Sequence, residues 1–343
     1  MNNFSVEKAK ILIGMVIASV KEFYEFQEFT KNSSEKRPSF VYKSWNDRKD
    51  NVITIEEKEY QLLARFAVDE YWFGVSETLK LRPQDLWSGE ARRAFRDRVP
   101  FGFILKSDHE IYVVIRGTQT KPEWFNNLTF TPKDDNFLGK ANLGRVHRGF
   151  NRIYTKGKVD KNQDQNGNQG GQDIPLNPIE KVVKETLEKE SEFSRESQVY
   201  VVGHSLGAAL ATMAAVHIND LSYFLTSPTL YTFASPRVGN QQFANYINQN
   251  LQNVYRIINS EDLISAVPLA SFRLIPEVDI EEAIAKNFKA DQHIKAVSSI
   301  LSKLPNLDFY HVGEVIPFTL HKGSILENHI AATYQEALSL IRN

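Results

Sequence analysis

Residues 198–208 read QVYVVGHSLGA. The run up to Val202 is continuously apolar, which is typical of a strand buried on both faces, and the Ala-rich stretch after it predicts a helix. Between them lies Gly203-x-Ser205-x-Gly207, the pattern of a sharp strand-to-helix turn that holds a serine at the helix N-terminus. Glycine is needed on either side because a side chain there would collide with the neighbouring backbone. The stretch therefore predicts a nucleophilic serine at position 205.

The segments around this turn repeat the alternation of strand and helix. Downstream, two further apolar runs flank a helical stretch, and this order predicts a mostly parallel sheet with helices on both faces. Upstream, two β-rich runs joined by Ser107–His109 predict a hairpin. The predicted strands are 101–106, 110–116, 198–202, 230–234, 254–258 and 309–316, and a closing helix is predicted over 331–341.

The first hundred residues are predicted to be a mainly helical N-terminal layer. Ile11–Val20 is apolar for about ten residues, half of the roughly twenty that a membrane span requires. Its length also suits the core of a signal peptide, but charge resumes at Lys21, which favours an ordinary first helix. Thr54–Glu57 resembles a capping box, and it predicts a second helix with these residues on one side: Tyr60, Leu63, Ala67 and Tyr71.

Composition limits the chemistry. The 343 residues include 41 basic and 42 acidic side chains, so a nucleic-acid partner is not expected. The chain has no cysteine, which excludes thiol nucleophiles, disulfides and cysteine zinc sites.

Residues 158–176 are mostly Asn, Gln, Gly and Asp and predict a polar surface loop. We expect one α/β domain over 1–343 and a cytoplasmic location, with secretion as the alternative.

A catalytic serine needs a histidine base and an acid that orients it. In a fold of this kind the acid follows a later strand, and the histidine follows the acid in the chain. Glu261 and Asp262 both follow the run 254–258, and we favour Asp262 because an apolar loop returns from it toward the core.

Three histidines come late enough in the chain to be the base. His311 is predicted to lie within the last strand, and His321 in a turn after it. His329 begins a loop-to-helix segment beyond the last strand, from which a side chain can reach over the strand ends, so we favour it.

An oxyanion hole completes such a site. One donor is expected to be the backbone N–H of Leu206, directly after the serine. The second should come from a loop after an early strand. Gly117 permits a tight turn there, and Thr118 offers both an N–H and a hydroxyl.

Several segments together resemble the class 3 lipases, which are fungal-lipase-like α/β hydrolases. These segments cover about residues 100–335 in the family's order, and they are Ile115–Thr118, Trp124–Phe130, Val146–Phe150, Val202–Ala208, Phe233–Asn240 and Tyr255–Asp262 with His329. The resemblance implies an α/β-hydrolase fold with Ser205, Asp262 and His329 as the triad. It also implies Thr118 and Leu206 as oxyanion donors, and a lid that carries Trp124, Phe125 and Leu128.

The resemblance further implies a triacylglycerol-lipase-like enzyme that cleaves acyl esters and needs neither cofactor nor metal. Its partner would be a lipid ester substrate, with transient contact to a lipid surface. The first alternative is a phospholipase A1 or galactolipase, and the second is a non-enzymatic binding module on a hydrolase scaffold. The chain departs from the compact family pattern in its N-terminal extension, its polar loop and a predicted helical insertion over 276–305, so these leave the substrate open.

Overall fold

The computed structural model describes residues 3–35, 38–71, 96–117, 134–156, 177–262 and 309–341. Within these ranges eight strands form one sheet, and two short strands form a separate ribbon. The strands of the sheet are β1 (Val52–Ile55), β2 (Lys58–Tyr71), β3 (Arg96–Ser107), β4 (Glu110–Ile115), β7 (Gln198–His204), β8 (Thr229–Phe233), β9 (Val254–Asn259) and β10 (Glu314–Phe318). The ribbon pairs β5 (Asp134–Asn136) with β6 (Arg145–His147).

The strand order is β1-β2-β3-β4-β7-β8-β9-β10. The first three pairings are antiparallel, and the four from β4 to β10 are parallel. The chain thus has the predicted α/β fold with a parallel half, and the predicted hairpin at Ser107–His109 joins β3 to β4. Because β7 lies inside the parallel half, its carboxyl end opens at the edge where ligands bind in such folds.

Helices cover both faces of the sheet. They are α1 (Val6–Lys31), α2 (Pro38–Asn46), α3 (Arg148–Lys156), α4 (Ile179–Phe193), α5 (Leu206–Leu221), α6 (Gln241–Asn250), α7 (Ile325–His329) and α8 (Ala331–Leu340). The N-terminal part of α1 packs with α8 on one face, and helices α3 to α6 pack on the other. Every residue of α5 from Leu206 to Ile218 is buried, as expected of a helix that is apolar all round.

Strand β4 shows how the two layers share one sheet. Its side chains alternate, as strand geometry requires. Ile111, Val113 and Ile115 belong to the core formed with α5, whereas Tyr112 and Val114 belong to the core formed with α1. A strand buried on both faces leads directly to the turn beside the serine.

The helix predicted after Thr54 is wrong. Residues 52–71 form the hairpin of β1 and β2, with Ile55 opposite Lys58. Glu56 and Glu57 form its two-residue turn with φ of 48° and 67°, the left-handed pair that such a turn requires. Glutamate is an unusual residue there, so the turn signal was missed. Strand pairing of β2 with β3, interrupted by two register shifts, prevails over the helical spacing of its apolar residues.

The last strand also differs from its prediction. It spans Glu314–Phe318, and His311 therefore precedes the strand. Gly313 has φ of 77°, where a Cβ would lie 2.5 Å from the carbonyl oxygen of Val254. The chain turns at this glycine before pairing with β9.

Three predicted features are not described structurally. The polar loop at 158–176 and the insertion at 276–305 lie outside the described residues, and the single-domain organisation stays a prediction. In the part of the chain that is described, none of the helices has both the length and the apolar character needed to cross a membrane.

Candidate active site

Ser205 lies on the turn between β7 and α5 in a strained backbone conformation, with φ 58° and ψ −126°. The flanking glycines make the turn possible. A Cβ at Gly203 would lie 2.1 Å from the carbonyl oxygen of Gly207, and one at Gly207 would lie 2.2 Å from that of Ile115. The amide of Ser205 donates to the carbonyl of Phe233 at 2.9 Å, which ties the turn to β8.

The imidazole of His329 lies between the serine and an acid. Its Nε2 is 2.7 Å from Oγ of Ser205, and its Nδ1 is 2.8 Å from Oδ2 of Asp262. All three residues are buried. With the proton on Nδ1 donated to the carboxylate, Nε2 is the acceptor for the serine hydroxyl. The structure thus brings together the three side chains favoured from the sequence.

The alternative acid and one alternative base lie elsewhere. Nδ1 of His321 is 3.3 Å from Oε2 of Glu261, and these side chains are 60% and 37% exposed. They therefore form a surface pair, while Asp262 is the acid directed at the buried histidine.

Two buried asparagines join the end of β9, which leads to Asp262, to the segment 320–329, which ends at His329. Nδ2 of Asn259 donates to the carbonyls of Leu320 and Asn328, at 2.8 and 3.2 Å. Asn328 accepts from the amide of Lys322 at 2.7 Å and donates to the carbonyl of Glu261 at 3.2 Å. These bonds fix the relative position of two segments that lie more than sixty residues apart in the chain.

Two aromatic side chains support the histidine and the acid. The hydroxyl of Tyr334 donates to Oδ2 of Asp262 at 2.7 Å. The ring of His204 lies 4.9 Å from the ring of His329, and its Nε2 lies 2.6 Å from the carbonyl oxygen of His329. Burial, followed by the nearby His329, lowers the pKa of His204 to about 3, so this ring is neutral near pH 7.

The expected oxyanion hole is described in part. Leu206 is the first residue of α5, where helix N–H groups have no intrahelical acceptor and the helix dipole favours negative charge. Gly117 packs against the turn, since a Cβ there would lie 3.1 Å from Cβ of Ser205. Thr118 and the predicted lid residues lie outside the described residues, namely Trp124, Phe125 and Leu128.

Sequence reasoning missed the supporting residues Asn259, Asn328, Tyr334 and His204. Their roles depend on contacts between segments far apart in the chain, and the available signals were weak. Asn259 and Asn328 stand close before the favoured acid and base, and Tyr334 follows His329 by five positions. Among the residues described, no group of three or more His, Cys, Asp or Glu side chains is placed to hold a metal ion.

A sheet with a parallel half, a serine on a strand-to-helix turn and a Ser–His–Asp hydrogen-bond chain are the features by which serine hydrolases of the α/β-hydrolase class are recognised. Residues 112–272 match the family described as Lipase (class 3). This segment is therefore similar to the class 3 lipases.

Proteins similar to this chain carry different substrate names. The chain is 30% identical over 168 residues to phospholipase A(1) DAD1 of Arabidopsis thaliana, covering 46% of this chain and 34% of the relative. It is 30% identical over 168 residues to a lipase of Rhizomucor miehei, covering 48% and 39%. It is 28% identical over 159 residues to a secreted mono- and diacylglycerol lipase of Fusarium solani, covering 46% and 39%. The chain therefore spans about two fifths or less of the length of these relatives.

Proposed function

We propose that this chain is a carboxylic ester hydrolase that acts on lipids, triacylglycerol-lipase-like, through Ser205, His329 and Asp262. The observation that carries the proposal is the continuous hydrogen-bond chain from Oγ of Ser205 through His329 to Asp262. It is the arrangement that makes a serine hydroxyl nucleophilic, because the base accepts its proton during attack.

The proposed reaction has two halves. Ser205 attacks the ester carbonyl, and its proton passes to Nε2 of His329, which then protonates the leaving alcohol. Asp262 holds the imidazole and stabilises its charged form. Water, deprotonated by the same histidine, releases the fatty acid from the acyl-enzyme.

The negative charge on the carbonyl oxygen would rest on backbone N–H groups. Leu206 supplies one at the helix N-terminus, and Thr118 is proposed to supply the other. Losing one such donor costs about 3 kcal/mol in the barrier.

The test compares Ser205→Ala with Ser19→Ala on a short p-nitrophenyl ester. Ser19 is a matched control because it is buried and its hydroxyl donates to the carbonyl of Val16. We expect Ser205→Ala to lose about four or more orders of magnitude in kcat, and Ser19→Ala to retain activity. Equal hydrolysis by wild type and Ser205→Ala would refute the proposal.

Labelling with a fluorophosphonate distinguishes the enzyme from a binding module on the same scaffold. The complete triad geometry favours the enzyme, so we expect covalent labelling at Ser205 and none in Ser205→Ala. Failure of the wild type to react would favour the binding module.

A phospholipase A1 or galactolipase is the second candidate, and the similarity to a relative named phospholipase A(1) supports it. The chemistry at Ser205 is the same for both, and the difference lies in contacts to the head group. A panel of triacylglycerol, phosphatidylcholine and monogalactosyldiacylglycerol tests them: fastest release of fatty acid from triacylglycerol supports the first candidate, and from a polar lipid the second.

A further inference from the structure

A guanidinium group is buried at the carboxyl end of β4. Arg116 is 0% exposed. Its Nε donates to the carbonyl of Pro100 at 2.8 Å, and its Nη1 donates to that of Gly117 at 2.7 Å. Because arginine stays charged and removing a charge from water costs several kcal/mol, such burial persists where other groups compensate the charge.

Two aromatic rings contribute to that compensation. The guanidinium carbon lies 4.1 Å from the ring centroid of Phe23 and 4.5 Å from that of Phe101. Both distances are within the roughly 6 Å at which a cation is attracted to a ring face. Phe101 belongs to β3, but Phe23 belongs to α1. The N-terminal helix therefore contacts Arg116 directly.

Arg116 is also linked to the nucleophile turn. Gly117, whose carbonyl it binds, packs so closely on this turn that a Cβ would lie 2.9 Å from the carbonyl oxygen of His204 and 3.1 Å from Cβ of Ser205. In a trans peptide the carbonyl and the following N–H are coplanar and point in opposite directions. A bond that orients the Gly117 carbonyl therefore fixes the plane of that peptide group.

We propose that Arg116, itself held by Phe23, is a positioning residue that orients the Gly117 peptide beside Ser205. Helix α1 thereby supports the catalytic centre as well as covering the sheet. The inference rests on the proposed function, in which the N–H of Thr118 is the second oxyanion donor. That N–H belongs to the same peptide group as the Gly117 carbonyl. Its effect should appear in the stabilisation of the transition state, and hence in kcat, more than in substrate binding.

The experiment compares Phe23→Leu with Phe26→Leu on the same helix. Both phenylalanines are 2% exposed, but Phe26 packs edge-on against Trp45 and Tyr42. Both variants lose one buried ring, so comparable losses in the free energy of unfolding are expected. For Phe23→Leu we expect a roughly tenfold lower kcat at unchanged KM, because a misplaced donor weakens the oxyanion site. Phe26→Leu should keep the wild-type kcat.

Arg116→Lys provides a second, independent measurement. Lysine keeps the charge but replaces the planar fork with one ammonium group, so we expect a fall in kcat of about tenfold or more. The rate of fluorophosphonate labelling at Ser205 should fall in parallel with kcat for Phe23→Leu and Arg116→Lys.

If Phe23→Leu and Phe26→Leu lower kcat equally, or neither does, the positioning role is refuted. Lower kcat in Phe23→Leu with an unchanged labelling rate would also contradict it. These outcomes are distinct from failure of the proposed function, in which Ser205→Ala would hydrolyse ester as fast as wild type.

Discussion

The hydroxyl of Tyr334 donates to Oδ2 of Asp262 at 2.7 Å, the same oxygen that faces Nδ1 of His329. The tyrosine is fully buried, and its oxygen accepts from the amide of Asn259 at 3.2 Å. Burial, followed by the charge of Asp262, raises the pKa of Tyr334 well above its ordinary value. The phenol therefore remains a donor throughout the neutral range and holds the carboxylate oxygen that faces His329.

Tyr334→Phe should lower kcat about tenfold and leave KM nearly unchanged. A hydrogen bond to a charged group contributes about 1.5–3 kcal/mol. Part of that energy should appear as a higher activation barrier, because Asp262 and His329 are then held less firmly. Tyr255→Phe is the control, since the hydroxyl of this buried residue donates to Oδ1 of Asn253 at 3.2 Å, away from the triad. Steady-state kinetics on a soluble ester measure both variants, and an unchanged kcat in Tyr334→Phe would show that the bond is catalytically silent.

The nucleophile turn was predictable because its constraint is local. Gly203, Ser205 and Gly207 must stand together in the sequence for the backbone to make this turn, and the apolar strand before it identifies the context. The order of acid and base along the chain then left two acids and three histidines. The returning apolar loop favoured Asp262 over Glu261, and the three-dimensional contacts agree, since Asp262 reaches His329 whereas Glu261 pairs with His321 on the surface.

The supporting contacts could not be predicted because they join segments that lie far apart in the chain. Tyr334 lies 72 positions from Asp262, and Phe23 reaches Arg116 from another layer of the fold. Nothing in the local pattern of either segment encodes those pairings. The hairpin at 52–71 was missed because pairing with β3 decides its conformation, and tertiary context commonly overrides local propensity of this kind.

The free energy of unfolding of Ser205→Gly should exceed that of Ser205→Ala by about 1 kcal/mol, because a φ of 58° strains any residue that carries a Cβ. Both changes remove the hydroxyl, so both should be inactive. Ser19 in α1 is the matched position, and there glycine should be less stable than alanine by about 1 kcal/mol. Denaturant unfolding of the four variants measures the difference, and a Ser205→Gly protein clearly weaker than Ser205→Ala would argue against strain at the turn.

His204 should support catalysis by holding His329 in place, through the hydrogen bond from its Nε2 to the carbonyl of His329. A carbonyl can only accept, so Nε2 carries the proton. His204→Phe keeps a ring of similar shape but leaves that buried carbonyl without this donor, which costs about 1–3 kcal/mol. We expect kcat to fall several-fold or more. His204→Gln, whose amide can still donate, should recover part of the loss, and equal rates for both variants would mean that the donor is irrelevant.

A histidine far from the catalytic chain should make the protein sensitive to acid. Nδ1 of His217 on α5 lies 2.9 Å from the hydroxyl of Tyr154 on α3, in the core between these two helices. Burial lowers the pKa of His217 to about 4; Asp220 opposes this change, while Lys140 and Lys184 reinforce it. The unfolded chain, whose histidines titrate near pH 6.5, therefore takes up the proton first as the pH falls.

The stability that neutral His217 contributes is thus fully present above about pH 6.5 and is lost as the pH falls toward 4. Linkage gives a loss of about 2 kcal/mol between pH 7 and pH 5 from this residue, and His204, whose pKa is also lowered, adds to the loss in the same direction. His217→Gln should therefore show a shallower fall in the free energy of unfolding over this range, although its stability at pH 7 is lower. His109→Gln, in the exposed turn between β3 and β4, should follow the wild-type curve. Urea unfolding at pH 7, 6 and 5 measures the slopes, and parallel curves for wild type and His217→Gln would exclude His217 as a source of the acid sensitivity.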